Sequence, residues 1–209
     1  MFRNKIRRMM VITCVVGATV VTEALPSGAS GRVVIDKQDG LTFSLPAKWS
    51  QVPLNGNDFL YFLNQAAIHN PALKSAITTE VKQMAKQGAK IFAVGPYQQN
   101  FLSNINVIVV SSAGAPTGQA FFTAAQAQLK VQLTSAGFKD LKFKVASFPF
   151  GKALEGTYRL GLTGQAKTVH GLQLYILHKS RIAIVTFTSL SPTTDLSVAT
   201  TVGRSWHWT

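Results

Sequence analysis

The chain has 209 residues, of which 46% are hydrophobic, with 21 Lys and Arg against 8 Asp and Glu and a single cysteine. That length suits one domain with a sizeable core, the apolar share excludes a disordered chain, and a lone cysteine excludes an intramolecular disulfide. A formal net charge of +13 favours polyanionic surroundings, with plain solubility as the bland alternative.

Arg3, Lys5, Arg7 and Arg8 precede "MMVITCVVGATVV" (9–21), an apolar run too short to span a bilayer comfortably and flanked like a secretory signal. Ala24 after Thr22 and Ala29 after Ser27 both fit small-x-small processing, and cleavage after Ala29 is favoured. The chain thus divides into a signal peptide, 1–29, and a single domain, 30–209. Thr13 before Cys14 does not suit a lipobox, and the residues around Arg7-Arg8 do not suit twin-arginine export. Retention of the signal as an anchor is the remaining alternative. Removing it takes away the only cysteine, so the exported domain has no thiol nucleophile and no thiolate metal ligand. Outside the cytoplasm a basic domain, secreted or held at the cell envelope, meets anionic membrane or wall polymer rather than nucleic acid.

"RVVIDKQDGLTFSLPAKW" alternates apolar and polar residues about Asp39-Gly40, which predicts a β-hairpin that Pro46 ends. Residues 51–69 carry mixed signals, with "DFLYFLNQAA" apolar on several faces, and read as a loop with a short strand or helical turn. Asn70-Pro71 then caps a helix in which Leu73, Ile77, Val81 and Met84 share one face and Gly88 ends it. Its other side carries Lys74, Lys82 and Lys86, with Lys90 just beyond: a solvated face or a polyanion-binding stripe. Strands at 90–95 and 104–112 come next, then a helix over about 119–136 on Phe122, Gln126, Leu129, Leu133 and Ala136. "LKFKVASFP", "LEGTYRLGL" and "LQLYILHKSRIAIVTFTS", the last folding back near Lys179-Ser180, predict further strands before Ser191-Pro192 opens a helix through Val202. Hairpins dominate, so the fold class is α+β, a mostly antiparallel sheet covered by helices.

"GLTFSLPAKW", "NPALKSAITTEV", "FLSNINVIVV", "LEGTYRLGL", "RIAIVTFTS" and "TVGRSWHW" occur in an order that resembles the PsbP-like superfamily. This group includes LpqN-type envelope proteins, the PsbP subunit of photosystem II and a Ran-GTPase-binding import factor. The resemblance covers nearly all of 32–209. It implies an α/β/α sandwich on an antiparallel sheet and action by binding rather than catalysis. The exported, cysteine-free chain is most similar to the LpqN-type bacterial envelope branch, from which it departs in lacking a convincing lipobox. The shared motifs are framework positions, so the resemblance carries over no binding residue.

In "NINVIVV" a strand sends Ile105, Val107 and Val109 to one face and Asn104, Asn106, Ile108 and Val110 to the other, so it is central. The asparagines at its start are expected to satisfy turn backbone rather than bind a ligand. The search for chemistry points the same way. The carboxylates Asp36, Asp39, Asp58, Glu80, Asp140, Glu155 and Asp195 form no acid-and-base pattern, and His69, His170, His178 and His207 lack metal-ligand spacing. No Gly-x-Ser-x-Gly is present, and "FGKA" around Lys152 lacks the first glycine and the Ser/Thr of a phosphate loop. The expectation is therefore no enzyme, no cofactor and no metal.

Two regions could recognise something. Lys142 and Lys144 share one face of a strand, with Leu141, Phe143 and Val145 on the other, giving a solvated outer surface or a cationic patch. Trp206 and Trp208 alternate at the end of the chain, where they either close a core edge or offer indoles to a ligand or membrane interface. The reading is a non-catalytic exported module that binds an envelope protein, lipid or glycolipid. The alternative is a cationic adaptor held to anionic polymer or membrane through the Lys74, Lys82, Lys86 and Lys90 stripe. Sequence does not fix the oligomeric state.

Overall fold

The alternation of β-branched and polar residues along β5 (Phe101–Ser111) makes it a strand buried on both faces, paired antiparallel with β4 (Ala89–Gln98) on one side and β9 (Arg181–Ser189) on the other. In the computed structural model, which describes residues 32–209 apart from 70, 99–100, 113, 115 and 162–167, β5 sits in a seven-stranded antiparallel sheet. The strand order is β3-β4-β5-β9-β8-β7-β6, with β3 Ser50–Val52, β6 Lys139–Phe148, β7 Gly151–Gly161 and β8 Thr168–His178. The expected signal peptide, 1–29, lies outside the described residues.

Each face of this sheet is covered differently. On one face lie α1 (Gly56–His69), α2 (Pro71–Lys86) and α3 (Gly118–Ser135), in two separate clusters. Ile77, Val81 and Met84 of α2 pack on Phe92 and Val94, while Phe121, Phe122, Leu129 and Leu133 of α3 pack on Leu154, Tyr158, Tyr175 and Ile184. On the other face α4 (Pro192–Ser205) and a three-stranded antiparallel sheet cover Ile91, Ile105, Val107, Leu174 and Phe187. The small sheet has the order β1-β2-β10, from β1 (Val33–Asp36), β2 (Leu41–Ser44) and β10 (His207–Trp208). The result is the α+β sandwich that the motifs imply.

The hairpin about Gly40, the helix ending before Gly88 (φ 82°) and the turn at Lys179 follow the sequence reading. Three features differ. Residues 56–69 form helix α1 rather than a loop; Leu63 is buried and Phe59 and Phe62 are half-buried, while Leu60 and Tyr61 face solvent, Tyr61 at 68% exposure. Apolar residues on several faces leave no single stripe, so the helical period is hidden. The short strands β3 and β10 pair with β4 and β2, which no local pattern could announce. Asn104 and Asn106 lie inside β5 instead of at its start, because the hairpin continues to the Gln98–Phe101 pair. There Asn104 faces Thr188 and Asn106 faces Thr186, between the α2 and α3 clusters. Asn104 donates to the Leu102 carbonyl at 3.4 Å. Asn106, with 0% exposure, has no side-chain partner among the described residues. A buried polar group left so costs about 1–3 kcal/mol.

Gly171 on β8 lies opposite Tyr158 on β7, and the phenol ring occupies the space above its α-carbon. A methyl group there would stand 2.1 Å from the ring. Gly171→Ala should therefore cost about 2–3 kcal/mol through overpacking, read as a lower urea midpoint with an unchanged m-value.

Candidate functional site

Along β7, Glu155, Thr157 and Arg159 alternate with Leu154, Gly156, Tyr158 and Leu160, the pattern of a strand with one apolar and one polar face. The apolar residues meet α3. The polar ones point to the opposite face, where α4 crosses β8 and β9 and its last turns pack on Phe148 at the end of β6. A cleft of about 960 Å³ remains between β6–β8 and the first turns of α4.

Cross-strand register assembles its wall. Lys144 stands opposite Glu155 and Lys142 opposite Thr157. A bulge between them and Lys139, with Asp140 at φ 53°, puts Lys139 opposite Arg159, which in turn pairs across with His170, and His170 with Ser189. The bulge turns the Asp140 carboxylate onto the Arg159 guanidinium in an ion pair. Lys144 Nζ lies 3.0 Å from Oε1 of the buried Glu155. Lys142 forms no ion pair among the described residues. Thus the two lysines on this face expected from the sequence do share a cleft, but only Lys142 keeps its charge uncommitted.

The floor is supplied by α4. Ser191 caps the helix by accepting from Thr194 N at 3.5 Å, and Pro192 fits its first position. One turn in, Asp195 is 4% exposed and lines the cleft, and its Oδ2 has no hydrogen-bond partner among the described residues. Burial pushes its carboxyl up to about 8, against a hydrogen bond with Ser189 that acts the other way. At neutral pH Asp195 therefore carries a proton and can donate. Burial and then the Arg159 charge lower His170 below its ordinary value, so its imidazole is neutral at pH 7. Pro192 and the half-exposed Leu196 form an apolar lip.

The other expected site residues lie elsewhere. Trp206 is 0% exposed, stacked on Phe43 at 5.3 Å and 9°, and belongs to the core; the expectation that it meets a ligand is corrected, since a side chain wholly enclosed by packing has no face to offer. Trp208 is partly buried and edge-on to Trp206, with His178 stacked on it at 5.1 Å and the Arg181 guanidinium 5.0 Å above its ring. Its ring is thus engaged by protein side chains. Lys82 and Lys86 are exposed on α2, and the Lys74 side chain lies outside the described residues. Lys90 is not part of that stripe: its ammonium pairs with Asp39 at 3.2 Å, joining β4 to the β1–β2 turn. Asp140, Glu155, Arg159, His170 and Asp195 were not recognisable as a group from sequence. Only antiparallel register and the crossing of α4 bring them together. Among the described residues no three His, Asp, Glu or Cys converge as a metal site would require. None of the described helices is long and apolar enough to cross a membrane.

No protein-family model matches the chain, and a comparison with curated proteins finds no match. Among solved structures it is similar to cyanobacterial PsbP (CyanoP) from Synechocystis sp. PCC 6803, at 15% identity over 87% of this chain and 94% of that one, with a TM-score of 0.49. It is also similar to LpqN, involved in cell envelope biogenesis of Mycobacterium tuberculosis, at 12% identity over 86% of this chain and 91% of that one, with a TM-score of 0.45. These are two of the groups that the sequence motifs resemble.

Two outcomes test this assignment. A carboxyl whose pKa is higher folded than unfolded withdraws stability as pH rises from its unfolded value of about 4 to its folded value of about 8. Asp195→Asn lacks that loss, so its stability relative to the native chain should rise by on the order of 4 kcal/mol between about pH 4.5 and 8.5 in urea titrations. Trp206→Ala should cost about 3–5 kcal/mol, seen as early thermal unfolding, and act on any binding only through the fold.

Proposed function

We propose that the chain is an exported, non-catalytic binding module of the bacterial cell envelope, holding part of an envelope protein, lipid or glycolipid in the cleft beside α4. The observation that carries this reading is that one cleft is lined by Lys142, which has no ion-pair partner among the described residues, and by Asp195, whose buried Oδ2 has no hydrogen-bond partner among them. Its other acids are held by cations, Glu155 by Lys144 and Asp140 by Arg159, which supports binding rather than turnover. The resemblance to PsbP-like motifs, whose owners act by binding, supports the same reading. An apolar lip beside polar walls suits a ligand with one greasy and one polar side.

A second reading, a cationic adaptor held to anionic polymer or membrane, is favoured by the exposed Lys82 and Lys86 on α2. Salt separates the two, because an adaptor held by exposed charges alone is screened within a few ångströms at high ionic strength, whereas a ligand in the cleft also keeps its contacts with the apolar lip. Binding of the purified chain to isolated bacterial envelopes should saturate, survive roughly 0.5 M salt, and weaken about tenfold for Lys142→Gln while Lys82→Gln with Lys86→Gln changes it little. Binding abolished by modest salt and by the α2 pair would establish the adaptor instead.

A further inference from the structure

Resting on the cleft as the binding site, we propose that the group it takes is a singly charged oxyanion, a carboxylate or a phosphodiester, seated between the Lys142 ammonium and the Asp195 carboxyl. The charge inventory selects the ligand. Lining the cleft with Asp195 are Asp140, Lys142 and Lys144 from β6, Glu155 and Arg159 from β7, and His170 from β8; the one basic group of α4, Arg204, lies in its last turn. Lys144 and Arg159 are neutralised by their partners, and His170 is neutral. Lys142 is left as the cleft's one uncompensated charge, which matches one negative charge and no more.

Asp195 supplies the second contact. Its buried Oδ2 lacks a partner, and with its proton in place it donates to an oxyanion as a short charge-assisted hydrogen bond. The proton stays on Asp195 and no covalent bond changes. A sugar hydroxyl could accept the same hydrogen bond but would leave Lys142 unused. Once Asp195 ionises it repels the anion and offsets Lys142, so binding and protonation of Asp195 are linked. Because burial and the Arg159 charge lower His170 away from this range, the ionisation of Asp195 governs the response above about pH 8.

Three probes test the inference on the purified chain by NMR titration: D-glucuronate, sn-glycero-3-phosphoglycerol and, as the neutral control, methyl glucoside. One or both anions should shift the amides of Lys142, Thr157, His170 and Asp195, and the anion that does so identifies the source as carboxylate or phosphodiester. The dissociation constant should rise about tenfold per pH unit above pH 8. Lys142→Gln should raise it about tenfold at pH 6.5. Asp195→Asn, which keeps a donor, should bind at pH 6.5 and lose the pH dependence. Equal binding of methyl glucoside, a constant independent of pH in the native chain, or cleft amides unmoved by either anion would each overturn the oxyanion. If envelope binding still weakens on Lys142→Gln, the cleft survives as a site for a different ligand. If that too is unchanged, the binding reading itself fails.

Discussion

The width of the seven-stranded sheet is the constraint on which the rest of the molecule depends. Strands about 4.8 Å apart make a sheet of seven about 29 Å across between its outer strands. One face is covered by α4, 14 residues and so about 21 Å long, together with the narrow β1-β2-β10 sheet. That cover fits the β4, β5, β9 and β8 side and reaches β7 and β6 only at Ala153 and Phe148, which leaves the rest of those two strands open. Whatever lies on the uncovered strip must be polar, and here it is Lys142, Lys144, Glu155, Thr157 and Arg159. The opposite face has three helices, and α3 covers the apolar side of the same strands, burying Leu154 and Tyr158 and half-burying Leu141 and Phe143.

Closing the α4 face also requires the chain to return on itself. Trp206 follows α4 directly, fills the space beside Phe43, and lets Trp208 pair with Leu41 in β2. Thr209 N then donates to the Gly40 carbonyl at 2.8 Å. Ser205 donates within α4 to the Thr201 carbonyl and accepts from Ser44 N, tying the same corner together. The last residues are thus an architectural clasp, and the aromatic density that marks them in the sequence is spent on packing. Placement of α4 in turn sets the depth of Asp195, since the helix that buries its own carboxyl against β8 and β9 also forms the cleft floor.

The tension at Asp195 distinguishes this cleft from an incidental groove. A carboxyl one turn into a helix is favourable when ionised and solvated, because the helix N-terminus is positive. Burial here outweighs that preference. Holding an acid neutral near pH 7 withdraws folding free energy that an asparagine would not, and such sites are enriched where a proton or a hydrogen-bond donor is used.

The sequence by itself determined the elements whose signals are local. Period-two alternation marked β6 to β9, cap-and-proline pairs marked α2 and α4, and two-sided apolar character marked β5 as central. It also determined that Lys142 and Lys144 share a face, since neighbours at i and i+2 on a strand always do. Tertiary structure alone decided the remainder. The small sheet and the strands β3 and β10 exist only through partners distant in the chain. Helix α1 is stabilised by packing on one side of a segment apolar on several. Trp206 could have stood on a surface or in a core, and only the return of the chain past Phe43 chose. Likewise Asp140, Glu155, Arg159, His170 and Asp195, scattered over more than fifty positions, meet because antiparallel register and the crossing of one helix place them around a single space. Register and helix placement are set by the global burial of apolar surface, a property of the whole chain that no local spacing encodes.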